Sequence, residues 1–319
     1  MRALVLTAGL GTRLEPLTLA RAKAAAPVDG DPIARRTIRW LVSHGISEIV
    51  LNLHHRPDSI AAAVGDGADL GARVRYSWES PVLGSAGGPR HALPLLTDRA
   101  SAPGRDAAAE PEDAFVLVNG DTLTDVDLVS MIRAHRDRGA LVSMALVRNP
   151  RPDKYGGVLL DERGAITGFT RRGSPGPSFH FIGPQVVQAS VFADLPDGVP
   201  SESVLEVYPR LMRERPGSVA GFVGDWSFRD IGTPADLLAT SLALAAADGR
   251  PDRPRWGRDV RVDPSAQITR SVLWDDVVVG AGAALRDCVV ADHVVIPPGA
   301  RYSNSAIVAG PSGLVVAAL

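Results

Sequence analysis

Lysine is nearly missing from this 319-residue chain: of 34 basic residues only Lys23 and Lys154 are lysines, and the rest are arginines. Together with abundant alanine, the bias reads as compositional drift of the kind a GC-rich genome produces. It still marks both lysines, because a compact ammonium on a flexible stem and a planar guanidinium fork do different chemistry. Cysteine occurs once, as Cys288, which excludes an intrachain disulfide and fits a reducing compartment. Inside its apolar stretch, Cys288 is expected to act as a small packed hydrophobe. No apolar run reaches the length of about 18 residues that a membrane helix needs. Met1–Leu6 enters a strand pattern directly, without the apolar core and cleavage site of a secretory signal, so a cytoplasmic location is expected. An excess of either charge is also lacking, with 34 basic and 36 acidic residues and a net charge of −2. That balance disfavours a nucleic-acid or membrane-surface partner.

What is present is ordinary globular composition, 45% hydrophobic and 22% charged, at a length that suggests two domains or one with an appendix. In the first half, short apolar runs alternate with helix-period patterns. Strands are predicted at 3–7, 48–53, 73–78, 115–119 and 141–147, with helices at 33–44, 57–64, 88–96 and 126–136. This alternation implies an α/β fold with a parallel sheet covered on both faces. Residues 99–113 lack apolar periodicity and read as a surface insertion. A hairpin is expected around Asp161-Glu162-Arg163-Gly164, and helices at 203–215 and 234–247, the latter capped by Thr233. Residues 248–258 read as a linker. Beyond it Val262, Ile268 and Trp274 recur every six residues, as do Val290, Ile296, Tyr302 and Val308. That period marks a short hexapeptide β-helix over 259–319, of about two to three coils.

The chemistry concentrates after the first strand, in Ala8-Gly9-Leu10-Gly11-Thr12-Arg13-Leu14-Glu15-Pro16-Leu17-Thr18, with Lys23 following. Glycines at a strand's carboxyl end let backbone N–H groups turn around an anion. Two cations close behind suit a triphosphate undergoing displacement. The Gly-Lys-Ser/Thr element of a P-loop is absent.

This run resembles the signature loop of the sugar-1-phosphate nucleotidyltransferases, whose pattern is Gly-X-Gly-Thr-Arg-Leu, Pro-Leu-Thr and then Pro-Lys-Pro. Here Arg21-Ala22-Lys23-Ala24 keeps the lysine without its prolines. Gly84-Ser85-Ala86-Gly87-Gly88, Asn119-Gly120-Asp121, Tyr155-Gly156-Gly157-Val158 and Asp230-Ile231-Gly232-Thr233-Pro234 resemble further family segments in the family's order. The resemblance implies a Rossmann-like nucleotidyltransferase domain over 1–247, with a mixed, mainly parallel sheet, followed by a left-handed hexapeptide β-helix. It implies transfer of a nucleotidyl group from an NTP to a sugar 1-phosphate, with Mg²⁺ as cofactor. Arg13 and Lys23 take the catalytic roles. Ala8, Gly9, Gly11, Thr12, Ser85, Ala86, Gly87, Asn119 and Gly120 are expected at the nucleotide, and Asp121 and Asp230 at the metal. The family's Glu-Lys-Pro is replaced by Thr170-Arg171-Arg172, so Gly157, Arg171 and Arg172 are expected at the sugar phosphate. The mannose-1-phosphate guanylyltransferase branch is favoured. Uridylyl or thymidylyl transfer to another sugar, or a non-catalytic regulatory subunit, are the alternatives. A homo-oligomer formed through the β-helix is a further expectation. Asp125 and Asp127 are expected to cap the next helix, His54 and His55 to serve the loop, and Lys154 to be a solvated loop lysine.

Overall fold

The structure is a computed structural model that describes residues 1–97 and 114–319. The insertion expected at 99–113 lies outside the described residues. The chain forms two compact units. One comprises Met1–Gly9, Thr37–His54 and Val64–Phe228; the other comprises Leu10–Arg36, His55–Ala63 and Arg229–Leu319.

The first unit is built on a mixed sheet. β1 (Ala3–Leu6), β2 (Glu48–Leu53), β3 (Arg73–Trp78) and β4 (Ala114–Asn119) run parallel, in the order β4-β1-β2-β3. Leu4, Val50 and Leu117 on these strands are fully buried. Strands covered on both faces have no wet face on which to alternate, which is why their sequences are near-continuous apolar runs. β5 (Val142–Arg148), β6 (Gly157–Leu160), β7 (Ile166–Thr170), β8 (Phe179–Gln188) and β9 (Val219–Val223) extend the sheet. β8 runs antiparallel to both β4 and β5, and β9 lies parallel to β5. β6 and β7 form the expected hairpin. Its turn is held by Asp161, whose Oδ1 accepts from the amides of Arg163 and Ala165 at 2.9 and 2.8 Å.

β8 and β9 have no counterpart among the predicted strands. In β8 the apolar pattern is broken by Gly183-Pro184, and the register with β5 shifts between Phe181 and Gln185. The irregularity accommodates a proline, which has no N–H for the ladder, and a glycine at φ 112°. Along the chain these strands alternate with helices α1 (Ile33–Ser43), α2 (Pro57–Val64), α3 (Gly84–Thr97) and α4 (Leu128–Arg138), of which residues 33–36 and 57–63 belong to the second unit. Asp127 caps α4 by accepting from the Ser130 amide at 3.1 Å. Asp125 does not share that role: it accepts from the amide and hydroxyl of Ser227, at 2.8 and 2.7 Å.

Helix α5 (Tyr208–Glu214) belongs to the first unit, and the second unit carries α6 (Pro234–Ala247). Thr233 and Asp236 close a reciprocal capping box at its start. Parallel ladders then pair Arg261 with Val278, Gln267 with Ala284, and Ala284 with Arg301. Each pair spans one coil of 17 residues, so the period of six loses one residue per turn. Leu285, Cys288, Val290 and Ile296 fill the coil interior. Burial there pushes the Cys288 thiol's pKa up. The final strand, Gly313–Ala318, turns back antiparallel on Arg301–Gly310. Residues 248–258 are tied down through buried Asp29, whose carboxylate accepts from the Arg250 guanidinium at 2.7 Å and the Arg255 amide at 2.6 Å.

Candidate active site

In the first unit, Leu6 of β1 stands opposite Asn119 of β4. Thr7–Gly9 and Gly120–Asp121 therefore leave the sheet side by side at its carboxyl edge, where open α/β sheets bind ligands. The Gly120 amide donates to Leu6 O at 3.0 Å, and any side chain at Gly120 would collide with that carbonyl. The backbone after β1 is shaped by Asn52. Its Oδ1 accepts from the amides of Thr7 and Ala8, at 2.6 and 3.3 Å, and its carbonyl accepts from the Thr7 hydroxyl. The Asn52 Nδ2 donates at 2.7 Å to Glu79, a carboxylate 1% exposed, whose other oxygen accepts from the Leu83 amide at 2.9 Å. Asn52 and Glu79 thus connect the signature loop to the start of α3. Neither was singled out from sequence. Gly88 is required beside them, since a Cβ there would lie 2.6 Å from the Glu79 carboxylate.

Ser85, Ala86 and Gly87 face the segment at 199–203. The Ser85 hydroxyl donates to Glu202 at 2.5 Å and accepts from the Ser203 amide at 2.9 Å. The Ala86 and Gly87 amides both donate to Ser201 O, at 2.9 and 3.2 Å. A Cβ at Gly87 would meet Val199 O at 2.6 Å. The glycines at this point serve close backbone approach.

The register Thr170 to Gly157 brings the ends of β6 and β7 together, so Gly157 and the exposed Arg171 and Arg172 are neighbours along one edge. Beside them Tyr155 stacks on His180 at 4.1 Å, and Phe228 lies 5.1 Å from the same imidazole. Burial pushes His180 down to about 4, with the Lys154 charge acting the same way against a hydrogen bond to Gly156. Lys154 is exposed, with its ammonium 5.2 Å from the Tyr155 ring centre.

The second unit contains the rest of the signature loop. Gly11 adopts φ 65°, and a Cβ there would meet Thr18 at 2.9 Å and Lys23 at 3.2 Å. The loop thereby folds Lys23 back against its own glycine turn. At the other end, a Cβ at Gly232 would lie 3.2 Å from the Arg13 guanidinium. Arg13 is therefore packed on the turn that follows Asp230. Thr18 O accepts from the His55 ring at 3.1 Å, while in the first unit the His54 ring bonds Glu79 O at 2.9 Å. Both histidines are bound to main-chain carbonyls.

A sequence profile described as "Nucleotidyl transferase" matches residues 2–247. The chain belongs to the nucleotidyl transferase family. Within it, the chain is a sugar-1-phosphate nucleotidyltransferase. A second profile, "GlmU-like, C-terminal hexapeptide", matches residues 254–304. The nucleotidyltransferase is 29% identical over 309 residues to a mannose-1-phosphate guanylyltransferase of Mycobacterium tuberculosis, covering 96% of this chain and 82% of that one. A mannose-1-phosphate guanylyltransferase catalytic subunit beta of Drosophila pseudoobscura pseudoobscura is 30% identical over 276 residues, covering 84% of this chain and 70% of the relative. The crystal structure of HddC from Yersinia pseudotuberculosis shares the fold, with a TM-score of 0.63 at 22% identity over 76% of this chain and 99% of that one. Among the described residues, no helix is long and apolar enough to cross a membrane.

Proposed function

We propose that this nucleotidyltransferase uses GTP and mannose 1-phosphate, forming GDP-mannose and pyrophosphate. The observation that carries the reading is the arrangement of the second unit, in which Gly11 packs on Lys23 and Gly232 on Arg13. Two cations are thus set on tight backbone turns, as a polyphosphate substrate requires. The choice of GTP and mannose 1-phosphate is supported by the two guanylyltransferase relatives, which align along most of the chain.

In this reading a phosphate oxygen of the sugar phosphate attacks the α-phosphorus of the NTP. The new P–O bond forms as the bond to the β-phosphate oxygen breaks, and pyrophosphate leaves with the electron pair. The nucleophile is already anionic at neutral pH, so alignment and charge neutralisation carry the catalysis. Arg13 neutralises the leaving pyrophosphate, and Lys23 reaches the α-phosphate or the attacking oxygen. The loop of Ala8, Gly9, Gly11 and Thr12 surrounds the nucleotide phosphates, with Asn119 and Gly120 at the adjacent strand end. Because the Ala86 and Gly87 amides are given to Ser201, they and Ser85 offer the nucleotide a close surface rather than donors. Gly157, Arg171 and Arg172 receive the sugar phosphate.

Asp121 and Asp230 are the proposed ligands of Mg²⁺, which when bound neutralises the phosphates and stabilises the transferring phosphoryl group. Two carboxylates are a hard, oxygen-only donor set. Among the described residues, no group of three or more His, Cys, Asp and Glu is placed to hold a metal ion. Mg²⁺ is usually held by one or two carboxylates plus waters and substrate phosphates.

A pyrophosphate-release screen of five NTPs against a panel of sugar 1-phosphates tests the assignment. GTP with mannose 1-phosphate is expected to be fastest by at least about tenfold. A faster reaction with any other pair, or no release with any pair, overturns it. Lys23→Ala is expected to lose about 100-fold or more in kcat with its melting temperature unchanged. Asp121→Asn is expected to abolish Mg²⁺-dependent turnover; an unchanged rate removes that carboxylate from the metal site.

A further inference from the structure

Lys23 lies in a run of alanines. Of residues 20–26, only Arg21 and Lys23 have side chains longer than a methyl group. The alanines Ala22, Ala24, Ala25 and Ala26 are buried, and Lys23–Ala25 form a single 3₁₀ turn. Such a segment has little of its own to fix its register. Arg21 supplies what is lacking. Its guanidinium donates to both oxygens of Asp292, each at 2.6 Å, and to Asp275 at 2.8 Å. It also lies 5.7 Å from the ring centre of the buried Trp274.

The two aspartates belong to successive coils of the β-helix, 17 residues apart like the paired strands. Each spends its other hydrogen-bonding capacity on that stack. Asp275 accepts from the Arg258 amide at 2.8 Å, and Asp292 from the Asp275 amide at 3.0 Å. The side chains of Arg21, Asp275 and Asp292 are only 18%, 15% and 9% exposed. A largely desolvated guanidinium with both partners in fixed positions has one favourable placement. Ala22 is the single residue between this clamp and Lys23, and its amide donates to Ser59 Oγ at 3.0 Å. Two residues of chain span at most about 7 Å, so displacement of Arg21 moves the lysine directly.

We infer that Arg21 is a positioning residue for Lys23 in nucleotidyl transfer, and that the β-helix, through Asp275 and Asp292, sets the placement of the reactive lysine. The inference rests on the catalytic role proposed for Lys23. It gives the β-helix a part in turnover, beyond capping or assembly.

The test uses the full chain, with pyrophosphate release as the readout and thermal melting to select folded variants. Arg21→Ala is expected to lower kcat by about 10- to 100-fold while KM for both substrates stays within about threefold. Arg21→Lys keeps the charge without the fork and is expected to recover part of the loss. Asp275→Asn with Asp292→Asn keeps the acceptors of the coil amides and is expected to reproduce Arg21→Ala. Should Arg21→Ala fail to fold, Asp275→Asn alone serves as the milder variant, with a smaller kcat loss expected. An unchanged kcat in a folded Arg21→Ala or Asp275→Asn protein, or an effect on KM alone, overturns the inference. If instead Lys23→Ala turns over normally, the proposed role of Lys23 fails first, which distinguishes the two outcomes.

Discussion

The His180 imidazole is stacked on the ring of Tyr155, with Phe228 tilted against it, and burial holds its pKa at about 4 instead of 6.5. As pH falls through about 6.5, the unfolded chain binds a proton there while the folded chain does not. The stability due to neutral His180 is therefore complete above that pH and is lost progressively as pH falls toward about 4. The urea midpoint is expected to drop between pH 7.5 and pH 5, and His180→Phe is expected to flatten that part of the profile. An equally steep profile in the variant would assign the effect elsewhere. Other residue-level features differed in how readable they were. Gly9, Gly11, Arg13 and Lys23 stand close together in sequence, so a loop signature exposes them. Asn52 and Glu79 look like an isolated strand amide and a loop acid, because their significance arises only when β1, β2 and the approach to α3 meet. Asp125 reads as a helix cap by its position before α4, yet its partner, Ser227, lies 102 residues away.

At the scale of elements, α3 shows how a glycine-rich start can hide a helix. The apolar pattern predicts it from residue 88, whereas it begins at Gly84 and includes Pro89 and Pro94. The glycines dilute the period because they meet the backbone at 199–202 and the carboxylate of Glu79. Gly88→Ala is expected to destabilise the protein by about 1–3 kcal/mol in urea denaturation. Glu79 cannot yield to the new methyl, because Asn52 and Leu83 bind both of its oxygens. Gly168→Ala is the contrast: its Cβ would meet only Leu159, at 4.0 Å, and a change within about 0.5 kcal/mol is expected. The parallel strands were legible because burial on both faces leaves continuous apolar runs. β8 was not, because Gly183 and Pro184 interrupt its run at a register shift.

For the molecule as a whole, alternation in the first half and the period of six in the last part were enough to give an α/β sheet followed by a β-helix. They could not show that residues 10–36 and 55–63 group with the C-terminal part, since that depends on contacts between distant segments. Asp29 is one of those contacts. It is 1% exposed, adopts φ 47°, and binds Arg250 and Arg255 from more than 200 positions away. Asp29→Ala removes these bonds and leaves a left-handed alanine, so a loss of about 2–4 kcal/mol is expected by chemical denaturation. Asp29→Asn, which keeps an acceptor and tolerates that conformation, is expected to lose less; equal losses would point away from these bonds.

Arg21 and Asp292 also stand 271 positions apart, which bears on how the protein is made. At about 5–20 residues per second, a ribosome takes on the order of 15–50 s to reach the aspartate after releasing the arginine. Throughout that interval the loop carrying Lys23 has been synthesised without its clamp. The segment proposed to do the chemistry is translated long before the coil that anchors it.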